Sequence, residues 1–567
     1  MSNLLLTSLT GLKAAQRSLE TVQHNISNVN TEGYSRQRVE QRTMPAILTR
    51  GGYIGQGVNV TDVTRSYDQF VNKQLSSSLS AFGEADRYHR MSAQVDNIMA
   101  DPSTGISPVM NRFFNAINEV ADDPSSVPAR QVMLSEAEIL TQSFNTMSGR
   151  FENLRTQNNN DIIGMVKDIN SYATAIADLN LQISQSLGNA QGIKQPNDLL
   201  DQQDALIAKL SEIVNVTVLP QQNGMSSLFI GNGQALVQDG STSTFTTMQS
   251  KFDLNRLEIG LETKTGVMEI TSQLSGGSLV GSLRFRDEVL EPAQQKLGRV
   301  AVGLALEVNA LHEQGFDLNG DAGEAFFSFA GGIPVVESPL NGGNASVTVE
   351  FKTPSAAGEL DFSDYRLEFV GPDYTLMRMR DKQVINLTAT ETGVGTNIFT
   401  LSSVSGLPGI DITVDQNMGA ALGGDQFLIR PTYTAAEKMG VNIDDPRKIA
   451  AATTGTPAAP APGDNRNALQ LAELANQLIM VGGKASFNDA YNEVVADVGT
   501  LTRASKLRTS AQETLLNQAK GTRESLAGVN LDEEAANLIK FQQAYQASAQ
   551  AISVARSLFD TLISAVR

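Results

Sequence analysis

Two ladders of residues spaced seven apart, one at each end, constrain this 567-residue chain more than any other feature. The first ladder consists of Leu5, Leu12, Leu19 and Ile26, and small or apolar residues follow three positions after each rung (Ser8, Ala15, Val22 and Val29). Heptad spacing places such residues on one narrow stripe of a helix, wide enough for one partner helix. We therefore predict an amphipathic helix over residues 2–29.

The second ladder occupies the last forty residues. Its rungs are Leu531, Leu538, Tyr545, Ile552, Phe559 and Val566, and the positions three residues after the first five rungs are Glu534, Phe541, Ser548, Ala555 and Leu562. Gly528 interrupts the preceding helix, Asn530 is a suitable N-cap, and three acidic residues follow in the first turn. The pattern predicts a second long amphipathic helix that begins close to residue 531.

The two ladders are predicted to pack against each other. Each stripe alone has nothing to bury against, so the helices at the two chain ends should meet, antiparallel, with the intervening domains at the far end of the molecule. Two such helices bury little area, and chain ends fray unless they are held. We expect the ends to be disordered in the free subunit and to fold on assembly with neighbouring copies.

Between the ladders the apolar period changes twice from about 3.6 to 2, as it does where helices give way to strands. The predicted fold class is α+β: an elongated multidomain chain in which a helical bundle or coiled coil of both ends carries inserted β-rich outer domains. The predicted segments are an N-terminal coiled-coil segment (1–65), a helical domain (66–213, 275–325 and 467–527), a small β insertion (214–274), an outer β-rich domain (326–440), a linker (441–466) and a C-terminal coiled-coil helix (528–567). The Pro/Ala/Gly-rich part of the linker, 453–463, is expected to be extended and exposed. The outer domain is expected to be a sandwich or barrel of short strands.

Composition excludes several classes of function. The net charge is −18, with no long basic run, which disfavours nucleic acid and anionic membranes as partners. The absence of cysteine excludes disulfides and thiolate metal sites. The sequence contains no run of eighteen apolar residues, so no membrane-spanning helix is predicted. The N-terminus lacks the pattern of a cleaved secretory signal.

Few residues are candidates for a catalytic or metal-binding role. The three histidines, His24, His89 and His312, are isolated in sequence, and lone histidines are more often capping or core residues than catalysts. The Asp317-Asn319-Asp321 series begins like a calcium loop but has Ala322 at its sixth position and Ser at its twelfth, so we predict a polar turn. The sequence therefore predicts a non-enzymatic protein without cofactor or metal.

Two terminal motifs provide a family resemblance. The stretch Asn25-Ile-Ser-Asn28-Val-Asn-Thr-Glu-Gly33-Tyr34-Ser-Arg-Gln and the stretch Gly528-Val-Asn-Leu-Asp-Glu-Glu-Ala-Ala-Asn-Leu-Ile-Lys-Phe resemble the N- and C-terminal motifs of the axial proteins of the bacterial flagellum. Tyr34-Ser-Arg-Gln is similar to the hook-associated members, since rod and hook proteins usually carry Gly-Phe at positions 33–34. The resemblance covers roughly residues 1–320 and 464–567 and leaves the region 326–440 unassigned.

The resemblance implies a structural subunit that joins hook to filament, exported without a cleaved signal peptide and located outside the cell on the flagellum. It implies as partners copies of the chain itself, hook protein, hook-associated protein 3 and an export chaperone on the C-terminal helix. The predicted assembly residues are Leu5, Leu12, Leu19, Asn25, Ile26, Asn28, Gly33, Tyr34, Leu531, Leu538, Phe541, Tyr545, Ile552, Phe559 and Leu562.

Three alternatives remain open at this level. The chain could be another axial subunit, such as hook protein or hook-associated protein 3. It could be a secreted hydrolase or adhesin with its chemistry in 326–440, or a coiled-coil scaffold inside the cell.

Overall fold

The structure is a computed structural model of the chain. It describes residues 2–49, 52–101, 105–189, 194–253, 255–263, 266–352, 358–371, 373–403, 407, 409–417 and 419–566. Within these residues long helices dominate, and three β-rich regions interrupt them. The predicted α+β class, with both chain ends helical and β-rich domains between them, is confirmed.

The helices in the described part of the chain are α1 (Ser2–Ser27), α2 (Gln69–Ala100), α3 (Ile106–Asp122), α4 (Val127–Asn189), α5 (Asn197–Ile213), α6 (Gly277–Phe285), α7 (Glu291–His312), α8 (Ala435–Lys438), α9 (Arg466–Glu473), α10 (Phe487–Ala527) and α11 (Leu531–Val566). A π-helical stretch, Arg286–Leu290, joins α6 to α7. Helix α10 begins with a capping box in which the side chains of Ser486 and Asp489 bond each other's backbone N–H groups. With 63 residues α4 is about 95 Å long, which makes the molecule elongated.

The strands of the described residues fall into six antiparallel sheets. They are β1 (Gln37–Thr43), β2 (Ile47–Thr49), β3 (Gly52–Ile54), β4 (Val58–Arg65), β5 (Val216–Pro220), β6 (Ser226–Ile230), β7 (Gln234–Gln238), β8 (Ser241–Thr242), β9 (Phe245–Gln249), β10 (Leu257–Thr263), β11 (Gly266–Glu269), β12 (Phe327–Phe329), β13 (Val335–Glu337), β14 (Ser346–Phe351), β15 (Tyr365–Val370), β16 (Asp373–Arg378), β17 (Val384–Glu391), β18 (Ile398–Ser402), β19 (Ile410–Asp415), β20 (Gln426–Ile429) and β21 (Met439–Val441). The sheets are β1-β4, β2-β3, β5-β6-β7-β8, β11-β10-β9, β12-β21 and β13-β20-β15-β16-β17-β18-β19-β14.

The two end helices lie side by side. Asn25 near the end of α1 bonds Glu534 in the first turn of α11, while Gly11 near the start of α1 lies against Ser548 further along α11. The helices therefore run antiparallel, as the sequence predicts. Whether they hold this order in an isolated subunit stays a prediction.

The helical body has a deep aromatic core. It is formed by the second half of α2, by α3, the first half of α4, α7, α9 and the start of α10. Phe113 of α3 contacts Phe326 and Phe327, with ring centroids 6.1 and 5.7 Å apart, and all three side chains are buried. Such burial of large apolar side chains is the main source of folding free energy.

The packing divides the chain differently from the division into 66–213 and 214–274. The second half of α4 leaves the aromatic core and joins α5, α6 and strands β5–β10 in a separate core around Ile169, Ile176 and Ile259. One continuous helix thus serves two cores, because its apolar stripe runs along nearly its whole length. A cut at residue 213 follows the change of sequence period but not the packing.

The outer β domain is one curled sheet of eight antiparallel strands. Strand β17 pairs with β16 through its first half and with β18 through its second half, so the sheet bends there. The alternating side chains of Leu367, Leu376, Leu401 and Ile412 fill the interior of the bend. This arrangement agrees with the predicted sandwich or barrel.

The predicted linker 441–466 needs correction. Ile449 and the three alanines that follow it are buried, and Ala452 exchanges backbone hydrogen bonds of 2.8 and 3.2 Å with Phe316. The Pro/Ala-rich part, 453–463, is mainly exposed as predicted, but it is not extended. Its ends are closed by Asp464, whose Oδ2 accepts hydrogen bonds from the backbone N–H groups of Thr453 and Thr454 at 2.9 and 3.2 Å.

Candidate assembly interface

Small residues form the contact between α1 and α11. Helix α1 is covered by α11 on one side and by β1 and β4 on another, as the bond from Gln41 to Ser18 shows. The small side chains that are buried on the two helices include Ser8, Ala14, Ala15 and Ser18 of α1 and Ala555 of α11. A Cβ atom placed on Gly11 would lie 3.3 Å from the Ser548 hydroxyl, which shows how near the two helices come. Small side chains permit such an approach, but they bury little apolar area for the length of the helices.

The ladder residues flank this contact rather than fill its centre. On α1, Leu12, Leu19 and Ile26 are half-buried and Leu5 is exposed; on α11, Leu538, Phe541 and Ile552 are half-buried, while Leu531, Tyr545, Phe559 and Leu562 are exposed. The side chain of Val566 lies outside the described residues. The two predicted seams do pair, with small residues at the offset positions buried and the rungs at the edge of the contact. That the rungs serve as assembly residues stays a prediction.

The end of α11 extends beyond α1. The register set by Asn25–Glu534 and Gly11–Ser548 carries α11 past the first residue of α1 for about its last two turns. The side chains of Leu558, Phe559, Leu562 and Ile563 in these turns are between 46 and 52% exposed. A run of exposed large apolar side chains on one helix is typical of a surface that another molecule covers.

Asn25 ties the motif after α1 to the helix pair. Its amide nitrogen donates to the Gln37 carbonyl oxygen at 2.9 Å and to Glu534 Oε2 at 3.1 Å. Its amide oxygen accepts from the Gln37 backbone N–H at 2.9 Å and from the Tyr34 hydroxyl at 2.8 Å. Asn25 is 1% exposed, so it contributes to an interface through the geometry that it fixes rather than by direct contact.

Arg36 fastens the same motif to the start of α11. Its guanidinium group bonds Glu534 at 2.7 Å and Glu533 at 2.7 Å, and its backbone N–H donates to the Ala527 carbonyl at 2.8 Å. Burial acts to lower the pKa of Arg36, but the hydrogen bond with Glu533 and the charge of Glu534 outweigh it and raise that pKa. Asn530 caps α11, since its side-chain oxygen accepts from the Asp532 N–H at 3.0 Å.

Gly33 forms the joint between the helix pair and the helical body. Its φ of +83° suits glycine, and a Cβ atom there would lie 3.0 Å from the Ala205 Cβ of α5. Arg523 at the end of α10 donates to the Gly33 carbonyl oxygen at 2.7 Å. On the other side the Ser35 N–H donates to Asp201 of α5 at 2.9 Å.

Asn28 and Tyr34 complete the motif. The Asn28 side chain donates to the His24 carbonyl at 3.0 Å and accepts from the Thr31 hydroxyl at 3.1 Å, which closes the C-terminal end of α1. The Tyr34 hydroxyl also lies 2.9 Å from His24 Nδ1. Burial raises the pKa of the Tyr34 phenol, and the nearby carboxylate of Asp198 adds to the rise.

The remaining chemical candidates have structural roles. His312 is buried, with Nδ1 2.6 Å from the Glu324 carbonyl oxygen and Nε2 accepting from the Ala450 N–H at 2.9 Å, and burial lowers its pKa to about 4. Asp317 Oδ1 accepts from the N–H groups of Asn319 and Asp321, which makes the predicted polar turn. Among the residues described, no cluster of three or more potential metal ligands occurs, and no helix is long and apolar enough to cross a membrane.

The sequence prediction missed Arg523, Asp201 and the pairing role of Arg36. One signal for this network was available. Glu534 is an acidic residue within an otherwise apolar or small ladder, and a carboxylate at such a position requires a cationic or hydrogen-bonding partner. Arg36 in the opposite terminal motif is that partner.

Three families match different parts of the chain, and all three are families of flagellar proteins. The helical domain of flagellar hook-associated protein FlgK matches residues 92–327, the flagella basal body rod protein family matches residues 5–34, and the C-terminal family of the flagellar basal body rod FlgEFG proteins matches residues 524–565. The first of these falls on the helical body and the small β insertion, and the other two fall on α1 and α11.

Full-length relatives agree with this assignment. Flagellar hook-associated protein 1 of Salmonella typhimurium is 35% identical over 576 residues, and that of Escherichia coli K12 is 33% identical over 567 residues; in both cases all of each chain is covered. The solved structure of the flagellar hook junction protein FlgK from Burkholderia pseudomallei has the same fold, with a TM-score of 0.70 at 24% identity over 80% of this chain and 100% of that one. The chain therefore belongs to the flagellar hook-associated protein 1 family.

Proposed function

We propose that this chain is a structural subunit of the bacterial flagellum that joins hook to filament and assembles through the pair of α1 and α11. One observation carries the proposal: the helix pair leaves large apolar side chains exposed along both helices and at the overhanging end of α11. A protein that functioned as a free monomer would gain nothing from such a surface.

The proposed partners are copies of the chain itself, hook protein and hook-associated protein 3. Neighbours that present similar helix pairs can cover the flanking stripes of Leu5, Leu531 and Phe559, and each contact is repeated around the axis. A narrow seam inside the subunit is compatible with this arrangement, because the bundle as a whole supplies the burial that one pair lacks.

We further propose that the chain reaches this place by the flagellar export route, without a cleaved signal peptide, and that an export chaperone holds α11 before assembly. The thin contact between α11 and α1 supports this step. A helix that is held by small residues and by the Arg36 ion pairs can be displaced at lower cost than one that is anchored in the aromatic core.

Deletion of residues 529–567 tests the proposal. The shortened protein is expected to keep its helical body, because the aromatic core contains no residue of α11. Cells that carry it should export filament subunits but fail to retain filaments, as scored by electron microscopy and swimming. Normal motility would refute the proposal, and circular dichroism of the purified deletion variant checks that the body is folded.

A variant with exposed positions alone changed separates assembly from folding. Phe559→Ser and Leu562→Ser together alter side chains that are about half exposed, so the subunit should fold as before while filament retention falls. Thr522→Ser with Gln518→Ser on α10 is a matched pair of exposed helix positions and should leave retention unchanged.

A further inference from the structure

A small hairpin and a cleft remain unexplained by the helix pair. The hairpin consists of strands β2 and β3, which form a two-stranded sheet of their own among the strands that the structure describes. Ile47 lies opposite Ile54 and Leu48 lies opposite Tyr53, so each face of the hairpin carries one apolar pair. The exposed fractions of these side chains are 48, 45, 66 and 76% in that order. A lone two-stranded hairpin with both faces apolar is marginal in water and requires a cover.

The cleft lies at the opposite end of the terminal segment. It has a volume of about 450 Å³ and is walled by Leu75 and Leu79 of α2, Ile207 of α5, and Val216 and Val218 of β5. Lysines, an arginine and carboxylates form its rim, including Lys520 and Arg523 of α10. An apolar floor with a polar rim is the usual anatomy of a binding site.

The base of the hairpin and the cleft of the same subunit lie near opposite ends of α1. Strands β1 and β4 run back along α1: Gln37 bonds Asn25, Gln41 bonds Ser18, and the Val58 N–H reaches the Thr10 hydroxyl. The cleft borders Gly33, beyond the other end of α1. Thr10 and Ser27 are about 26 Å apart along the helix axis, which sets the scale of the separation between the base of the hairpin and the cleft.

We propose that the β2–β3 hairpin of one copy seats in the α2–α5–β5 cleft of a second copy of this chain. This inference rests on the proposed function, because only an assembly brings copies into fixed register. Because the hairpin and the cleft lie on distant parts of one subunit, their contact joins subunits head to tail. Contacts of this kind build rings and helical tubes. The contact is continuous with the helix-pair surface, since β1 and β4 pack on α1 and the cleft adjoins the Gly33 joint.

Site-directed cross-linking tests the contact without background, because the chain has no cysteine. Leu48→Cys and Val218→Cys are made in separate full-length chains that are expressed in the same cell, and intact flagella are treated with a short bis-maleimide. A dimer is expected when both variants are present and is expected to be absent when either is present alone. Leu48→Cys with Val394→Cys is the matched control, because Val394 is fully exposed on the outer domain, away from the cleft.

The possible results distinguish failure of the hairpin contact from failure of the proposed function. Retained filaments without the mixed dimer overturn the hairpin contact and leave the proposed function intact. A dimer from Leu48→Cys alone overturns it in favour of hairpin-to-hairpin packing. If the first pair fails to retain filaments, Tyr53→Cys with Leu75→Cys provides the same test at neighbouring positions, and absence of its mixed dimer also overturns the contact.

Discussion

The helix pair and the helical body bury their side chains in opposite ways. The body buries whole phenylalanine side chains such as those of Phe113 and Phe144, in a core to which several helices contribute. The pair meets through alanine and serine and leaves its leucines and phenylalanines at the edge. The comparison teaches that one chain can combine a part that folds by its own burial with a part whose burial is completed by neighbours.

The largest expected effect separates the two regions directly. Phe113→Ala removes a fully buried ring that packs on Phe326 and Phe327, and it should lower the free energy of unfolding by about 3–5 kcal/mol. Phe559→Ala removes an equal ring that is half exposed and should leave urea unfolding of the body nearly unchanged. An equal loss of unfolding free energy in the two variants would contradict the difference in burial between the helix pair and the helical body.

A second effect is confined to the body and depends on pH. The pKa of His312 in the folded chain is about 4, below its ordinary value of 6.5, because burial favours the neutral ring. The unfolded chain therefore binds the extra proton first, and stability is lost as pH falls from 6.5 towards 4, by up to about 3 kcal/mol. Urea unfolding at a series of pH values measures this loss. His312→Asn should abolish it, whereas His89→Asn should leave it in place.

A third effect concerns the joint of the helix pair. Asn25→Ala leaves the backbone groups of Gln37 without their side-chain partner and removes the hydrogen bond to Oε2 of Glu534, at a cost of about 1–3 kcal/mol. Hydrogen exchange should accelerate in α1 and α11 but not in α3 or α7. Gln23→Ala, on the exposed face of α1, is the control. Acceleration throughout the body would contradict the separation of the two regions.

The smallest effect is at the start of α11. The hydrogen bond with Arg36 lowers the pKa of Glu533 below its ordinary value of 4.5, so the stabilisation is present above pH 4.5 and is lost as pH falls through the folded-state value. Protease cleavage near residue 530 should rise slightly at pH 4 relative to pH 7. Glu533→Gln should cleave at nearly equal rates at the two values. An unchanged pH response in that variant would exclude the ion pair as the cause.

Several elements could be read from local pattern alone. One apolar stripe recurs with the period of a helix, and all of its members are buried in α4: Ile162, Val166, Ile169, Ala173, Ile176, Leu179 and Ile183. The capping box at Ser486 and the positive φ at Gly33 follow from residue chemistry at one place in the chain. The contact between the two end helices follows from the need of each apolar stripe for a partner. Its antiparallel sense follows from the intervening domains, which lie at the far end of the molecule.

Other features depended on residues distant in sequence. The segment after Asp445 has the composition of a linker, yet Ala450, Ala451 and Ala452 are buried, and backbone hydrogen bonds tie them to Phe316 and to the start of α9. Similarly, the predicted seams contain both the seven-residue rungs and the offset residues, and the pattern does not say which of the two sets lies at the centre of the helix pair. Serine and alanine at the offset positions permit a closer contact, and no local rule weighs the two options.

The sequence by itself determined the helical ends, the order of helical and β segments, and the family motifs, since these depend on period and on residue type within a few turns. Only the tertiary structure decided that Arg36 meets Glu534, that Arg523 and Asp201 hold the Gly33 joint, and that α4 serves two cores. The physical reason is that a charge or an apolar face specifies the kind of partner that it requires. The identity of that partner is set by which of many distant candidates the packed chain brings within a few ångströms.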